Sequence, residues 1–139
     1  MTYLPDGAPY TYRAVVDSSR VICVGWLDAK HPFTRGAVDQ DFLVALRYLC
    51  INHSIDRMRG YHWCNLGDCD TRQRRPPSTI PLEDGDAYPL GDAEIWVERE
   101  DGIEIAAPNL VYHYVTEHQY RPPDYFVDAV LRQAGKTSP

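Results

Sequence analysis

The sequence predicts an α+β domain: a mainly antiparallel sheet of two hairpins, about three helices packed on one face of it, and a zinc ion stapling distant segments together. Three observations carry this expectation. Short runs of alternating β-branched and aromatic residues come in pairs, apolar residues recur at helical spacing in further runs, and nitrogen and sulfur donors concentrate in residues 62–69 and 113–118.

Residues 10–27 read as the first hairpin, with YTYRAVV and VICVGWL as arms and Asp17-Ser18-Ser19-Arg20 as the turn. Cys23 lies in the second arm among Val21, Ile22 and Val24, the setting of a buried core thiol. DAKHPFTRG, residues 28–36, is a loop. From Val38 to Cys50 the residues Phe42, Ala45, Leu46, Leu49 and Cys50 share one helical stripe, and Asp39 and Asp41 favour the positive end of the helix. Cys50 is therefore core, and His53 a solvated residue past the helix end.

Residues 70–90, rich in Arg, Pro, Asp and Gly without periodicity, read as an irregular surface loop. The second hairpin follows, Ala93 to Glu98 and Ile103 to Ala106 around Glu100-Asp101-Gly102. Trp96 falls on its polar face, where it lies beneath the long loop or marks a partner surface. Pro108 suits the first turn of a helix running to about His118. Arg121-Pro122-Pro123-Asp124 breaks that helix and opens another with Phe126, Val127, Val130 and Leu131 on its apolar face, ended by Gly135. A flexible tail is expected over 134–139.

The chain of 139 residues suits one domain, 1–139, and 44% hydrophobic with 24% charged residues is ordinary for a protein that buries a core. A net charge of −6 disfavours nucleic acid and acidic membrane surfaces, because phosphate binding needs concentrated positive charge. Arg72, Arg74 and Arg75 are a local exception, read as a solvated loop. MTYLPDGAPYTYR has no basic stretch followed by an apolar core, and no apolar run approaches a membrane span, so a cytoplasmic location is expected. In that reducing setting the four cysteines are thiols or metal ligands.

The chemistry concentrates in His62-Trp63-Cys64-Asn65-Leu66-Gly67-Asp68-Cys69 and His113-Tyr-Val-Thr-Glu-His118. Two thiolates across a short turn suit a borderline-soft cation, and Gly67 allows the positive φ that brings both sulfurs to one point. An H-x4-H spacing supplies imidazoles. The 43 residues 70–112 between the halves exclude a zinc finger and indicate a long-range staple. On an ideal helix His113 and His118 are about 140° apart, so they converge only if the helix ends or tightens between them. His62, two residues from Cys64 on an extended segment, is the competing ligand. The five candidates rank Cys64, Cys69, His113, then His62 and His118 level.

Mixed S/N donors favour zinc over iron or copper. Four protein ligands would close the site, which points to a structural ion and away from an enzyme; Glu117, Asp68 and Asp70 are the bases that an open site could use. H-E-x-x-H, the nucleobase-deaminase pattern, a phosphate loop and G-x-S-x-G are all absent. Asp28 and His31 read as a turn cap and an extended residue before Pro32 rather than a catalytic pair.

The order WLD…HPF…G, RGYHWCNLGDC, LGDAEIWV, AAPNLVYHYVTEH, YRPPDYFVDAV resembles a family of small bacterial proteins of unknown function. Its pattern is G-[FYW]-H-x-C-x-x-C, LG-x-AEI and HYV-x-x-H-x-Y-x-PP-x-x-F, and the resemblance covers roughly residues 22–131. It implies the same five candidates, His62, Cys64, Cys69, His113 and His118, and a fixed packing unit of Pro122, Pro123 and Phe126 beside His118. The C-x4-C gap is longer than the family's. The functional expectation is a zinc-stabilised interaction or accessory module that binds another protein through the 70–90 loop or the Trp96 face. The alternatives are a zinc hydrolase with an open coordination position and an acidic immunity or inhibitor protein.

Overall fold

A computed structural model describes residues 3–11, 20–58, 61–67, 69 and 78–137. Its elements are β1 (Val21–Cys23), α1 (Gln40–Asn52), β2 (Thr79–Pro81), β3 (Ala87–Pro89), β4 (Glu94–Glu98), β5 (Glu104–Pro108), α2 (Val111–His118) and α3 (Asp124–Thr137). The α+β class is as the sequence predicts. Three strands form one sheet in the order β1-β5-β4, and β2 pairs with β3 in a second.

Alternation along β4 and β5 sorts side chains onto the two faces of the main sheet. Ile95, Val97, Ile105 and Ala107 join the large core with Phe42, Leu46 and Leu49 of α1, Val111, Tyr114 and Val115 of α2, and Phe126, Ala129 and Val130 of α3. Phe42 and Phe126 meet edge to face with centroids 6.3 Å apart, a geometry worth about 1 kcal/mol beyond the area it buries. Among the described residues no helix covers the opposite face. Tyr10, Val21, Cys23, Trp26 and Ala106 form a second buried cluster, with Trp96 packed against it.

Several expectations change in detail. β1 runs parallel to β5, with Ile22 opposite Ile105, and β4 and β5 form the expected antiparallel pair. The partner of residues 21–26 on the other side is the chain at 4–10: Leu4 bridges Trp26, Pro9 bridges Ile22, and Tyr10 N donates to Val21 O at 3.0 Å. Most of the expected first arm, residues 12–19, lies outside the described residues. Pro108 does not open a helix. It closes β5 opposite Glu94, two residues past the end of the pairing with β1 at Ala106, and α2 starts three residues later.

Within the segment expected to be irregular, β2 and β3 pair with Ile80 opposite Tyr88. Asp86 N donates to Asp84 Oδ1, Leu82 N donates to Asp86 O, and Gly85 adopts φ +93°, so polar turn residues that look like loop in isolation close a hairpin. Residues 70–77, including Arg72, Arg74 and Arg75, lie outside the described residues. Gly135 does not end α3. Ala134 is buried and Tyr48 Oη donates to Thr137 O at 2.8 Å, so packing on α1 outweighs a helical glycine penalty of about 1 kcal/mol.

One junction ties these layers together. The buried Asn109, just past β5, accepts from Gly91 N through Oδ1 at 2.8 Å and donates through Nδ2 to Ser54 Oγ at 3.2 Å, and its backbone N donates to Ala93 O. It joins the start of β4, the end of α1 and the entry to α2. Gly91, at φ +107°, lies against the chain at His62, whose N donates to Gly91 O at 2.9 Å; a Cβ built on Gly91 would stand 2.3 Å from the His62 carbonyl oxygen. Gly91→Ala combines an unfavourable φ with a backbone clash, and we expect it to lower stability by about 2–4 kcal/mol, read from urea unfolding at constant m.

Candidate metal centre

The turn after Tyr61 is shaped by its own short contacts. Leu66 N points to Cys64 Sγ at 3.4 Å, Cys69 N donates to Leu66 O at 3.0 Å, and Gly67 adopts φ +51°, the conformation for which a glycine was expected there. Asn65 anchors the turn laterally: Ala29 N donates to its Oδ1 at 3.1 Å and its Nδ2 donates to Asp28 Oδ2 at 3.2 Å. Asp28 also accepts from Lys30 N, which with the Asn65 bond holds its carboxyl below the usual range. Asp28 thus caps a turn, as predicted, while His31 is exposed and stacked on Tyr3 with centroids 3.8 Å apart.

The imidazoles come from α2. Its last residue is His118, after which Gln119 takes φ +54° and Tyr120 N returns to Tyr114 O at 3.1 Å, a left-handed stop that frees the chain to leave. Arg35 Nη1 donates to His118 O at 3.2 Å, and Arg121 N donates to Thr34 O, which secures the exit. Because His118 sits at the very end of the helix, its ring and that of His113 approach to 5.1 Å between centroids despite their helical offset.

One donor atom from each of Cys64, Cys69, His113 and His118 lies within 4.8 Å of all the others. Cys64 Sγ is 3.2 Å from His118 Nε2, and Cys69 Sγ is 3.6 Å from both His113 Nε2 and His118 Nε2. These four residues are positioned to bind a metal ion. The cysteines are buried and the histidines partly so, whereas Glu117 is exposed. Asp68 and Asp70 lie outside the described residues.

His62 is the candidate that the fold takes elsewhere. Its backbone is paired with Gly91, and it lines a cleft with Tyr61, Asp92 and Glu94; burial holds its imidazole pKa below the ordinary value. The level ranking of His62 and His118 is thus resolved toward His118 by where α2 stops.

Sequence reasoning did not single out Tyr114, which follows His113 on the inner side of α2. Its hydroxyl is buried with no hydrogen-bond partner among the described residues, and its pKa is pushed up by burial first and then by Cys64, Asp28 and Cys69. A Tyr next to the candidate donor His113 in the helix pattern was the available signal. Cys23 and Cys50 stand apart from the centre as free, buried thiols, as expected. Burial raises Cys23 to about 12 and Cys50 higher still.

Two outcomes follow for the purified chain. Alanine at Cys64, Cys69, His113 or His118 should abolish stoichiometric metal by elemental analysis, whereas His62→Ala should retain it. At pH 8 iodoacetamide should spare Cys23 and Cys50, because a raised thiol pKa leaves almost no thiolate at that pH; chelation should expose Cys64 and Cys69 to alkylation, read by peptide mass spectrometry.

Among the described residues no helix is long and apolar enough to cross a membrane. No curated protein and no solved structure matches the chain. A family model does match, across residues 2–131, and the chain belongs to that family, the domain of unknown function DUF7919.

Proposed function

We propose that Cys64, Cys69, His113 and His118 hold one zinc ion as a structural staple, and that the stapled domain is a protein-interaction module. The observation that carries the metal identity is the S/N spacing. Tetrahedral zinc with Zn–S of about 2.3 Å and Zn–N of about 2.0–2.1 Å requires sulfur–nitrogen edges of about 3.6 Å. The separations are 3.2, 3.6 and 3.6 Å. Two thiolates and two imidazoles also suit zinc better than an oxygen-seeking cation.

Four protein donors fill a tetrahedron, so no coordination position is left for an activated water, and the exposed Glu117 is not enclosed with a substrate space. That favours the structural role over the hydrolase. The interaction role rests on an uneven surface: Ile55, Met58, Tyr61 and Trp63 are 44%, 53%, 37% and 45% exposed within nine residues of chain, and such concentration marks contact surfaces. Trp96, by contrast, is half-buried against Tyr10 with centroids 5.4 Å apart and donates Nε1–H to Glu94 Oε1.

The structural reading predicts one equivalent of zinc and a chain that unfolds on chelation. Structural zinc contributes about 10–16 kcal/mol in small domains at pH 7, as much as the whole stability of about 5–15 kcal/mol of a typical domain. Acidification should release zinc, since each ligand must lose a proton to bind, so affinity is present at neutral pH and falls as pH falls. A folded, cooperative apo-protein by circular dichroism and denaturant titration would contradict the staple. For the interaction role, a benzoylphenylalanine photo-crosslinker in place of Trp63 should yield a discrete adduct in cells, and the same group in place of the exposed Val44 of α1 should not; equal yields from both positions would count against it.

A further inference from the structure

A buried polar group stands beside the four donors without belonging to them. Tyr114 follows His113 and lies four residues before His118, so it shares with His118 the face of α2 that meets the cysteines. Its ring is edge to face with the His113 imidazole, centroids 6.2 Å apart. The residue is 0% exposed, in one core cluster with Cys64, Leu66 and Cys69, and its hydroxyl has no hydrogen-bond partner among the described residues.

The backbone holds this ring where it is. Tyr114 N donates to Leu110 O at 3.2 Å, and Tyr114 O accepts from Tyr120 N at 3.1 Å in the left-handed stop that ends α2. A buried donor without an acceptor costs the desolvation of that group in full, so such a group calls for a physical reason. After burial, the influences on the Tyr114 proton are Cys64, then Asp28, then Cys69, which puts the hydroxyl on the sulfur side of the centre. Asp28 already accepts from Lys30 N and Asn65 Nδ2. A thiol sulfur is a weak acceptor, but a sulfur that binds a cation has lost its proton, and a charged acceptor makes hydrogen bonds roughly twice as strong as a neutral one.

We propose that Tyr114 is a positioning residue of the metal centre, whose Oη–H is donated to a coordinated thiolate, that of Cys64 foremost, and so strengthens the hold on the cation. It joins Leu66 N, which points to Cys64 Sγ at 3.4 Å, so the sulfur is addressed from the turn and from the helix. Hydrogen bonds to metal-binding side chains orient them and tune the metal they hold. The role rests on the reading of Cys64, Cys69, His113 and His118 as metal ligands.

The test is cobalt(II) and zinc binding by the full chain and by Tyr114→Phe, which keeps the ring and removes only the hydroxyl. The wild type should take up one equivalent of cobalt. A hydrogen bond lowers the energy of the sulfur lone pairs, so Tyr114→Phe should move the thiolate-to-cobalt charge-transfer band to longer wavelength and leave the ligand-field bands of the tetrahedral ion in place. Competition with a chromophoric chelator should show zinc affinity reduced by roughly 10–100-fold, the range for outer partners of metal ligands. A hydroxyl without a role at the metal would act in the opposite sense, since removing an unpaired buried donor relieves its desolvation. Tyr48→Phe, which removes the hydroxyl that donates to Thr137 O, should leave the charge-transfer band unmoved. A second measurement needs no variant: in the wild type loaded with ¹¹³Cd, the Tyr114 hydroxyl proton should couple to the metal through sulfur, as the Leu66 amide proton should. A charge-transfer band that stays in place in Tyr114→Phe, zinc affinity equal to or above that of the wild type, or coupling to Leu66 without coupling to Tyr114 overturns the proposal and leaves the hydroxyl to another acceptor, such as an internal water. A wild type that takes up neither cobalt nor zinc overturns the metal reading itself, and this role with it.

Discussion

The convergence of two thiolates and two imidazoles at one point is the constraint on which the arrangement around it depends. The donors belong to a tight turn and to a helix end far along the chain, and between them lie β2 to β5. A metal ion bound by these four donors would close a loop whose entropy the remaining contacts would otherwise have to offset. Asn65 anchors the turn through Ala29 and Asp28, and Cys64, Leu66 and Cys69 are its buried side chains.

A second constraint acts on the other side of the same segment. Gly91 and His62 are in backbone contact, and Asn109 holds Gly91, the end of α1 and the approach to α2 in one hydrogen-bonded junction. The chain from 61 to 64 is therefore placed by backbone pairing at His62 and brings Cys64 to the donor cluster. On one side of this stretch lies the cleft lined by Tyr61, His62, Asp92 and Glu94, and on the other the four converging donors. The exposed Ile55, Met58, Tyr61 and Trp63 lie along the same stretch, which is tied to β4 and its entry by backbone bonds at Ile55, Met58 and His62.

Much of the fold was legible because its signals are local. α1 has its stripe of Phe42, Ala45, Leu46, Leu49 and Cys50, all buried, and the second hairpin has the strict alternation that separates Ile95 and Val97 from Trp96. The elements that were misjudged are those that tertiary contacts decide. Pro108 fits a strand end as well as a helix start, and only its register opposite Glu94 distinguishes them. Gly135 is kept helical by the packing of the last turn of α3 on α1. The hairpin at 79–89 consists of three-residue strands, too short for periodicity to register. Glu94 shares the polar face of the β4 alternation with Trp96, and its burial against Tyr10 and Trp96 has no local signature.

The sequence by itself determined the class of the fold and narrowed the donors to five candidates, because these follow from residue chemistry and short-range spacing. The tertiary structure alone decided that His118 and not His62 stands with Cys64, Cys69 and His113. The reason is geometric. Two residues of extended chain allow His62 to face the same way as Cys64, but its backbone is committed to Gly91; His113 and His118 diverge on an ideal helix, but α2 stops at His118 in a left-handed turn that long-range bonds from Arg35 and Thr34 secure.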